Sequence, residues 1–288
     1  MPKKTVLITG CSDAGLGSSM AKAYLAKGFT VFATVRKPSK ASSLASMKGI
    51  HILELEVTSE ESIRRCAKAV EEHEDTGGAL DILVNNAGVN EVVPLLDASI
   101  EEAKRVYDAN VWSLLAMAQA FAPLLIRARG TMCNINSVSG EMVFAWAGVY
   151  SSSRSAGTRI SETLRVEMAP LGVRVVTVIL GGVHTRGNDP AYIDDLELPA
   201  DSFYRKITSV IDRHKKVLVH PNRQNVDVAA RNIVDDLLKD DGSIFIRRGA
   251  ASTLSWLCTA FLPYKLFTWM INKDSGLNDI GFEGEGVR

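Results

Sequence analysis

The sequence predicts an α/β protein in which one parallel β-sheet of about seven strands is covered by helices on both faces. Two observations support this prediction. Short apolar runs alternate with longer amphipathic runs along the chain, and the apolar runs lack the alternation of a strand with one solvated face. The chain has 288 residues, 46% of them hydrophobic, which is enough for a single domain with an appendage.

The predicted strands are the apolar runs at 5–9, 30–35, 50–57, 80–86, 131–137, 173–180 and 243–246. The predicted helices are the amphipathic runs at 15–28, 59–75, 99–128 and 149–169. Pro123 predicts a kink in the third of these helices, because proline removes one backbone hydrogen bond. We assign 1–250 to the domain and 251–288 to an apolar C-terminal extension. A doubly wound sheet binds its ligand beyond the carboxyl ends of its strands, so the segments that follow the strands form the candidate site.

The charge balance excludes a partner that is attracted by a basic surface. Lysine plus arginine and aspartate plus glutamate number 33 each, so the formal net charge is +0 and we expect no nucleic-acid partner. The four cysteines have no paired spacing, which favours a reducing compartment. The start MPKKTVLITG has no apolar signal segment, and we expect a cytoplasmic protein.

The segment TGCSDAGLG, residues 9–17, follows the first predicted strand and precedes the first predicted helix. Gly10, Gly15 and Gly17 leave the backbone uncovered there, so a dinucleotide pyrophosphate can rest on the helix N-terminus. A tight turn that binds no ligand is the alternative interpretation.

Two cations, Arg36 and Lys37, follow the second predicted strand. A site for NAD more often presents an acid to the ribose hydroxyls at this place. Because two cations can pair with a 2′-phosphate, the sequence favours NADP(H) over NAD(H) as the cofactor. The alternative is a solvated pair of loop cations.

Further motifs extend this pattern: NNAG at 85–88, YDANVW with Asn110, INSVSG with Ser137, YSSSR from Tyr150 and LGGVHT ending in Thr185. With these motifs the chain resembles a classical short-chain dehydrogenase/reductase, a family with a Rossmann-type fold, over roughly residues 5–250. Ser137 precedes Tyr150 by the thirteen residues that are usual in the family. Within the family, the chain is most similar to the fungal acyl-dihydroxyacetone-phosphate reductase-like group, through GCS in the glycine loop and the apolar tail WLCTAFLP.

The resemblance implies a role for each motif. Tyr150 would give or take a proton, Ser137 would hydrogen-bond the substrate carbonyl oxygen, and Asn110 would hold a water on the proton path. The implied cofactor-binding residues are Gly10, Ser12, Gly15, Leu16, Gly17, Arg36, Lys37, Glu56, Val57, Asn85, Asn86, Ala87, Gly88, Tyr150, Arg154, Val183 and Thr185. The family also commonly forms a homodimer or homotetramer.

The resemblance predicts lysine at position 154, where this chain has Arg154. Arginine supplies a positive charge one helical turn from Tyr150 and so stabilises the phenolate, but it stays protonated and cannot pass a proton through itself. Three interpretations stay open. Tyr150 is the acid and protons return through water; or the site performs non-redox work such as isomerisation, dehydration or ring closure; or the protein binds without catalysis.

Three further features bear on the substrate. Leu180 replaces the proline expected there, which permits a looser loop over the nicotinamide. The predicted substrate loop, 187–225, has an acidic part followed by a basic part containing Arg205, Lys206, Arg213, Lys215 and Lys216, which is either a solvated face or a site for an anionic group. His184 is the better histidine candidate for substrate contact than His214, and neither histidine belongs to a recognisable ligand cluster, so no metal is assigned.

The apolar, aromatic segment 256–271 is interrupted by Pro263 and Lys265 and is too short to cross a bilayer unaided. We expect it to pack on the body or form a lid over the substrate, with peripheral membrane contact as the alternative. The sequence as a whole predicts an NADPH-dependent enzyme that reduces a ketone or aldehyde of a small hydrophobic, lipid-like or polycyclic substrate, or oxidises the reverse alcohol.

Overall fold

The structure is a computed structural model that describes residues 3–185, 193–217, 223–239 and 241–280. Seven of its strands form one sheet: β1 Thr5–Ile8, β2 Thr30–Val35, β3 Ile50–Glu54, β4 Ile82–Asn85, β5 Thr131–Ser137, β6 Arg174–Leu180 and β9 Phe245–Arg248. Two short strands, β7 Val183–His184 and β8 Gln224–Asn225, pair with each other beside it. All seven predicted strands are therefore present, with their ends shifted by a few residues.

The main sheet has the order β3-β2-β1-β4-β5-β6-β9, and every neighbouring pair is parallel. The order reverses between β1 and β4, so the connections leave in opposite directions there and a crevice opens above the carboxyl ends of the strands. This arrangement confirms the predicted doubly wound, Rossmann-type sheet.

The helices are α1 Leu16–Ala26, α2 Ser42–Ala45, α3 Glu60–Glu71, α4 Ile100–Tyr107, α5 Ser113–Ala128, α6 Gly148–Met168, α7 Thr208–Val217, α8 Val226–Leu238, α9 Ser252–Phe261 and α10 Tyr264–Asn272. One face of the sheet packs on a cluster that includes Met20 of α1 and Ile233 of α8. The other face packs on a cluster that includes Val70 of α3 and Phe121 of α5. Both faces of the sheet are thus covered, which explains why the strands are apolar on both sides.

The predicted helix at 99–128 is not one regular α-helix. Five residues, Asp108–Trp112, form a π-helical turn between α4 and α5, and Asn110 lies inside it. Pro123 lies within α5, which continues past it to Ala128. The departure from α-helical geometry therefore lies at Asn110, where no proline or glycine in the sequence indicates it.

The run Ile100–Ala128 is also the one helical stretch of the described chain that is long and apolar enough to cross a membrane. Its apolar window is 56% buried inside the protein, and Phe121 and Leu125 are fully enclosed. Burial in the core accounts for the apolar composition of this stretch.

The C-terminal extension folds back on the domain as α9 and α10. Asn272 of α10 accepts a hydrogen bond from the Ala145 amide at 2.7 Å and donates to the Val143 carbonyl at 2.8 Å. The Trp146 indole donates to the Ser275 carbonyl at 3.0 Å and is nearly buried. The extension is therefore fastened to the segment that leads into α6, the helix that carries Tyr150.

Candidate active site

A cleft of about 1720 Å³ opens at the crevice above the carboxyl ends of the strands. Most of the predicted site residues line it: Gly10, Ser12, Gly15, Leu16, Arg36, Glu56, Val57, Asn86, Ala87, Gly88, Ser137, Tyr150, Arg154, Val183 and Thr185. The lining does not include Gly17, Lys37, Asn85 or Asn110. The fold thus brings widely separated motifs into one cavity, and the four remaining residues support it from outside or lie beside it.

The glycine loop is shaped by contacts within the protein. Gly10 has φ +73, and a Cβ there would lie 3.0 Å from the Cα of Ala87. A Cβ on Gly17 would lie 2.5 Å from the carbonyl oxygen of Gly10. Gly17 therefore permits α1 to pack against the loop, a different role from the expected contact with the cofactor.

Thr9 and Asn86 join the glycine loop to the segment after β4. The Thr9 hydroxyl accepts hydrogen bonds from the backbone amides of Asn86 and Ala87, both at 2.9 Å. The Asn86 side chain donates to the carbonyl oxygens of Thr9 and Gly10 at 2.8 and 3.2 Å. These bonds fix the cleft wall before any ligand is bound.

The N-terminus of α1 faces this wall and suits a pyrophosphate. Gly15 precedes the helix, and no side chain of the described segments caps it. The amides of the first helical turn are consequently available to an anion, and the partial positive charge of the helix end favours one. The loop thiol of Cys11 is buried, and burial raises its pKa to about 12, so it is no nucleophile.

The end of β2 supplies cationic side chains to the cleft. Arg36 and Lys40 line it, whereas Lys37 is exposed and does not. Asp13 binds this segment to the glycine loop, because its carboxylate accepts hydrogen bonds from the hydroxyls of Ser43 and Ser42 at 2.5 and 2.7 Å. Those hydrogen bonds, that of the Ser43 hydroxyl above all, lower the pKa of Asp13. Sequence reasoning missed Lys40, which lies four residues beyond Arg36.

Tyr150 and Arg154 lie one turn apart on α6, with the guanidinium carbon 5.1 Å from the centre of the phenol ring. Arg154 donates through Nη1 to the Ile135 carbonyl at 3.4 Å. Its Nη2 lies where a Cβ on Gly88 would come within 2.5 Å, so Gly88 leaves room for the guanidinium. Its Nε is buried and has no hydrogen-bond partner among the described residues.

Asn110 lies behind the cleft and holds its wall. Its amide group accepts from the Val89 amide and donates to the Val89 carbonyl, both at 2.9 Å, and also donates to Ser153 at 3.0 Å. Ser153 in turn donates to the Tyr150 carbonyl at 2.7 Å. The side chain of Asn110, only 4% exposed, is therefore occupied in joining three parts of the site.

Ser137 is positioned at the end of β5 by its neighbours. Asn136 accepts from the Ser137 amide at 3.0 Å and donates to the Arg154 carbonyl at 2.9 Å, which links the serine to α6. The Ser137 hydroxyl accepts from the Ser139 amide at 3.1 Å and so caps a short turn of 3₁₀ helix. The same hydroxyl donates to Ser139 Oγ at 3.2 Å, and its proton reaches a ligand in the cleft only by rotating away from that bond. Sequence reasoning missed Asn136, although it stands inside the quoted INS motif.

The loop that follows β6 is more firmly held than Leu180 led us to expect. The Gly181 amide donates to the Arg248 carbonyl at 2.8 Å, and the Gly182 amide donates to the Ala250 carbonyl at 3.0 Å. A Cβ on Gly181 would lie 2.1 Å from the Ala250 oxygen. Close backbone pairing with the end of β9 replaces the restraint that a proline would supply.

Some charged residues of the predicted substrate loop bind within the loop itself. Lys216 binds Asp212 at 2.7 Å and also Asp195, and Lys215 donates to the Asp194 carbonyl at 2.8 Å. Residues 187–192 and 218–222 of the predicted loop lie outside the described residues. His214 lines the cleft, whereas His184 is exposed and does not. The histidine that lines the cleft is thus the one that we ranked second.

The far end of the cleft contains further residues that the sequence did not assign to the site: Asn90, Glu91, Met142, Phe144, Ser255 and Ile271, the last of them from the apolar segment 256–271. Two of them, Ser255 and Ile271, belong to α9 and α10. The extension therefore forms part of the cleft wall, as expected for a segment that packs over the substrate. Glu91 comes three residues after NNAG, which is its only signal in the sequence.

A separate group of side chains could hold a metal, although the sequence indicated none. Possible ligand atoms of His51, His73 and Asp75 lie within 4.8 Å of one another at the edge of the sheet. The Asp75 amide donates to His73 Nδ1 at 3.2 Å, and both imidazoles pack on Phe32. None of these four residues lines the cleft. The group therefore has no part in the chemistry of that site.

The sheet order, the uncapped helix after the glycine loop and the Ser137–Tyr150 pair in one cleft define a Rossmann-type oxidoreductase that uses a nicotinamide cofactor. Residues 4–194 match the family model described as short chain dehydrogenase, and the chain belongs to that family. "Short-chain dehydrogenase cctT" of Talaromyces islandicus is 73% identical over 282 residues, which cover 98% of this chain and 99% of that protein.

Two further relatives carry information about a cofactor. "NADPH-dependent 1-acyldihydroxyacetone phosphate reductase" of Schizosaccharomyces pombe is 37% identical over 204 residues, 70% of this chain and 68% of that protein. A short chain dehydrogenase of Burkholderia cenocepacia, solved in complex with NADP, is 25% identical, with a TM-score of 0.71 and coverage of 92% of this chain and 95% of that chain. The chain is thus an oxidoreductase with relatives that use NADP(H), and it resembles the fungal group named above.

Proposed function

We propose that this protein is an NADP(H)-dependent reductase that converts a ketone or aldehyde of a hydrophobic substrate to the alcohol, or catalyses the reverse oxidation. One observation supports this proposal above all. Ser137 and Tyr150, which come from β5 and α6, line the same cleft as the glycine loop and the uncapped N-terminus of α1. A carbonyl placed between them would lie beside a bound nicotinamide.

The cofactor, when bound, supplies or accepts the hydride. Ser137 donates its hydroxyl proton as a hydrogen bond to the carbonyl oxygen and so orients it, and the Tyr150 hydroxyl transfers its proton to that oxygen. The guanidinium of Arg154, 5.1 Å from the phenol ring, stabilises the phenolate that this transfer leaves. Since arginine cannot relay a proton, water returns one to the Tyr150 oxygen.

Two cations support a preference for NADP(H). Arg36 and Lys40 line the cleft beyond β2, where they can bind a 2′-phosphate with charge-assisted hydrogen bonds. The NADPH-dependent relative and the solved NADP complex agree with this preference.

A hydrophobic substrate is supported by the apolar side chains at the far end of the cleft. Val89, Met142, Phe144, Leu180 and Ile271 all line it. Such a wall removes apolar substrate surface from water, which favours binding by about 25 cal/mol per Å².

The exposed aromatic side chains of α9 and α10 lead us to propose a peripheral membrane contact as well. Trp256, Phe261 and Trp269 are 44, 76 and 60% exposed. Aromatic side chains that are exposed together on short helices are suited to the headgroup region of a bilayer. Such contact would let a lipid-like substrate reach the cleft from the membrane. Sedimentation with phosphatidylcholine vesicles tests this contact.

A non-redox reaction is the second candidate, and the Nε of Arg154 favours it. This donor has no partner among the described residues, and Arg154 lines the cleft, so a small movement of the guanidinium would let it stabilise an oxyanion formed during isomerisation, dehydration or ring closure. A panel of hydrophobic ketones incubated with NADPH separates the two candidates. Loss of nicotinamide absorbance together with alcohol formation supports the reductase, whereas conversion of a compound without oxidation of NADPH supports the second candidate.

Replacement of Tyr150 tests the assignment of the proton donor. We expect Tyr150→Phe to lower kcat by about 10²- to 10⁴-fold, because general acid catalysis contributes on this scale. The NADPH dissociation constant and the thermal unfolding temperature should change little. Tyr264→Phe, on exposed Tyr264 of α10, is the matched control. Parental kcat in Tyr150→Phe would show that another group protonates the substrate.

A further inference from the structure

Glu91 is held in a fixed position at the substrate end of the cleft. Two residues before it, Val89 is bound through both its amide and its carbonyl by Asn110. Two residues after it, the Val93 amide donates to the Trp146 carbonyl at 2.7 Å, just before α6 begins. Between these attachments the side chain of Val92 is buried, while Glu91 lines the cleft. The backbone around Glu91 is thus held by Asn110 and by the segment before α6, which also hold the helix that carries Tyr150.

The carboxyl group of Glu91 has an unpaired oxygen. Its Oε2 is shut off from solvent and has no hydrogen-bond partner among the described residues. Burial raises the pKa of this carboxyl. A buried acceptor without a partner costs stability, so a folded protein normally keeps one only where something else compensates.

Four other acidic residues line the cleft, of which three are paired and the fourth, Asp108, is exposed to solvent. Asp13 binds Ser42 and Ser43, Glu56 accepts from the Thr58 hydroxyl at 3.0 Å, and Glu102 forms an ion pair with Arg105. Contacts within the protein therefore account for the paired carboxylates without a ligand. No described residue pairs with Oε2 of Glu91, and a rotation of the side chain would bring this oxygen from its enclosed position to a ligand in the cleft.

We propose that Glu91 forms a hydrogen-bonding subsite for a hydroxyl group of the substrate, so that the enzyme acts on a hydrophobic carbonyl compound that also bears a hydroxyl. This inference rests on the proposed function and specifies its substrate class. A hydroxyl is favoured over an ammonium group for two reasons. Arg154 already places a positive charge in the same cleft, and a neutral donor costs less than a cation to transfer from water into an apolar wall.

The test compares ketones that differ by one hydroxyl. The probes are 1-tetralone and its 5-, 6- and 7-hydroxy derivatives, assayed with NADPH against the parent, Glu91→Gln and Glu91→Leu. The parent should prefer at least one hydroxylated probe by about tenfold in kcat/KM, the scale of one hydrogen bond to a polar side chain. Glu91→Leu should abolish that preference, and Glu91→Gln, which can still hydrogen-bond, should retain most of it. Glu101→Gln, an exposed change outside the cleft, is the matched control.

The preference ratio, not the absolute rate, is the readout, because misfolding or weaker NADPH binding would lower both members of a pair alike. A parent without preference for any hydroxylated probe, or a Glu91→Leu variant that keeps the preference, overturns the subsite. If no probe is reduced at all, the reductase assignment fails for this class, and calorimetric binding of the same pairs to the NADPH complex decides the subsite separately. The subsite is supported if a hydroxylated probe binds the NADPH complex more tightly than 1-tetralone does and this difference in affinity disappears in Glu91→Leu. Equal affinities of the two probes for the parent reject the subsite.

Discussion

The two ends of the cleft differ in how completely their polar atoms are paired. At the glycine loop, Thr9 and Asn86 use their side chains to bind the backbone across the crevice. At the substrate end, Arg154 Nε and Glu91 Oε2 are buried and have no partner among the described residues. The first end leaves the amides of α1 uncapped and the Oδ1 of Asn85 without a partner among the described residues, but its loop is held by these side-chain bonds. At the second end the unpaired atoms belong to charged side chains that line the cleft.

This difference separates what the fold requires from what the reaction requires. The paired end belongs to the scaffold, because its hydrogen bonds and close contacts hold β1, β4 and α1 together. The fold does not depend on the residues of the unpaired end, so these residues can differ according to the substrate that the enzyme binds. Substitutions at the paired end should therefore affect stability and cofactor binding together, and those at the other end should affect activity with little loss of stability.

Among the changes that compare the two ends, the largest effect is expected for Gly17→Ala at the paired end. The new Cβ would lie 2.5 Å from the Gly10 carbonyl oxygen, so either α1 or the loop must move. We expect a loss of about 1–3 kcal/mol in the free energy of unfolding and an NADPH dissociation constant raised by more than about 100-fold, because the phosphate-facing amides shift with the loop. Denaturant unfolding and fluorescence titration measure the two quantities.

Gly157→Ala on α6 is the matched control for that change. There the nearest atoms to a new Cβ lie at 3.5 Å, which is ordinary contact, so stability and NADPH affinity should stay near the parental values. Equal behaviour of the two alanine variants would mean that the contact at Gly17 does not shape the loop, and the distinction between the two ends would lose its main support.

The next effect concerns the charge of Arg154 at the unpaired end. Arg154→Met removes the positive charge 5.1 Å from the phenol ring, and we expect kcat to fall by about 100-fold, since such a charge is worth about 3 kcal/mol at an effective dielectric constant of 20. Arg154→Lys keeps the charge and should stay within about threefold of the parent if water returns the proton. The unfolding free energy of both variants should change by less than about 1 kcal/mol.

The lysine variant also discriminates between the candidate reactions. A large gain in reductase rate for Arg154→Lys would mean that arginine sacrifices proton delivery for another reaction, which favours the non-redox candidate. Steady-state kinetics with the tetralone probes measures this gain, and the methionine variant provides the uncharged reference.

The sequence predicts the sheet well, because strands buried on both faces are apolar throughout and are separated by amphipathic helices. It predicts the motif residues as well, since Ser137 and Tyr150 stand at a recognisable interval. It missed α7 and α8, although α8 covers one face of the sheet through Ile233. It also took the stretch around Asn110 for regular helix, because a π-turn leaves no mark in hydrophobic periodicity.

Residues at the substrate end could not be found from the sequence for a different reason. Glu91, Phe144 and Ser255 are far apart in the chain, and they come to line one cleft only through the packing of loops and of the C-terminal extension. Lys37 and Lys40 illustrate the same limit at short range. Both are exposed lysines near the end of β2, and only the turn of the backbone decides that Lys40 lines the cleft.

The smallest effect is expected where the paired end meets the solvent. Arg36→Ala combined with Lys40→Ala should raise KM for NADPH about tenfold, the scale of a charge-assisted hydrogen bond to a phosphate in an exposed position, and leave KM for NADH nearly unchanged. Lys37→Ala, in the same loop but outside the cleft lining, should alter neither constant by more than about twofold. Kinetics with both cofactors measures the selectivity ratio. If Lys37→Ala lowers that ratio as much as the double change does, a position in the cleft lining is not what makes a cation bind the 2′-phosphate. The summed positive charge of the loop would then set the preference for NADPH, and a rising salt concentration would weaken that preference.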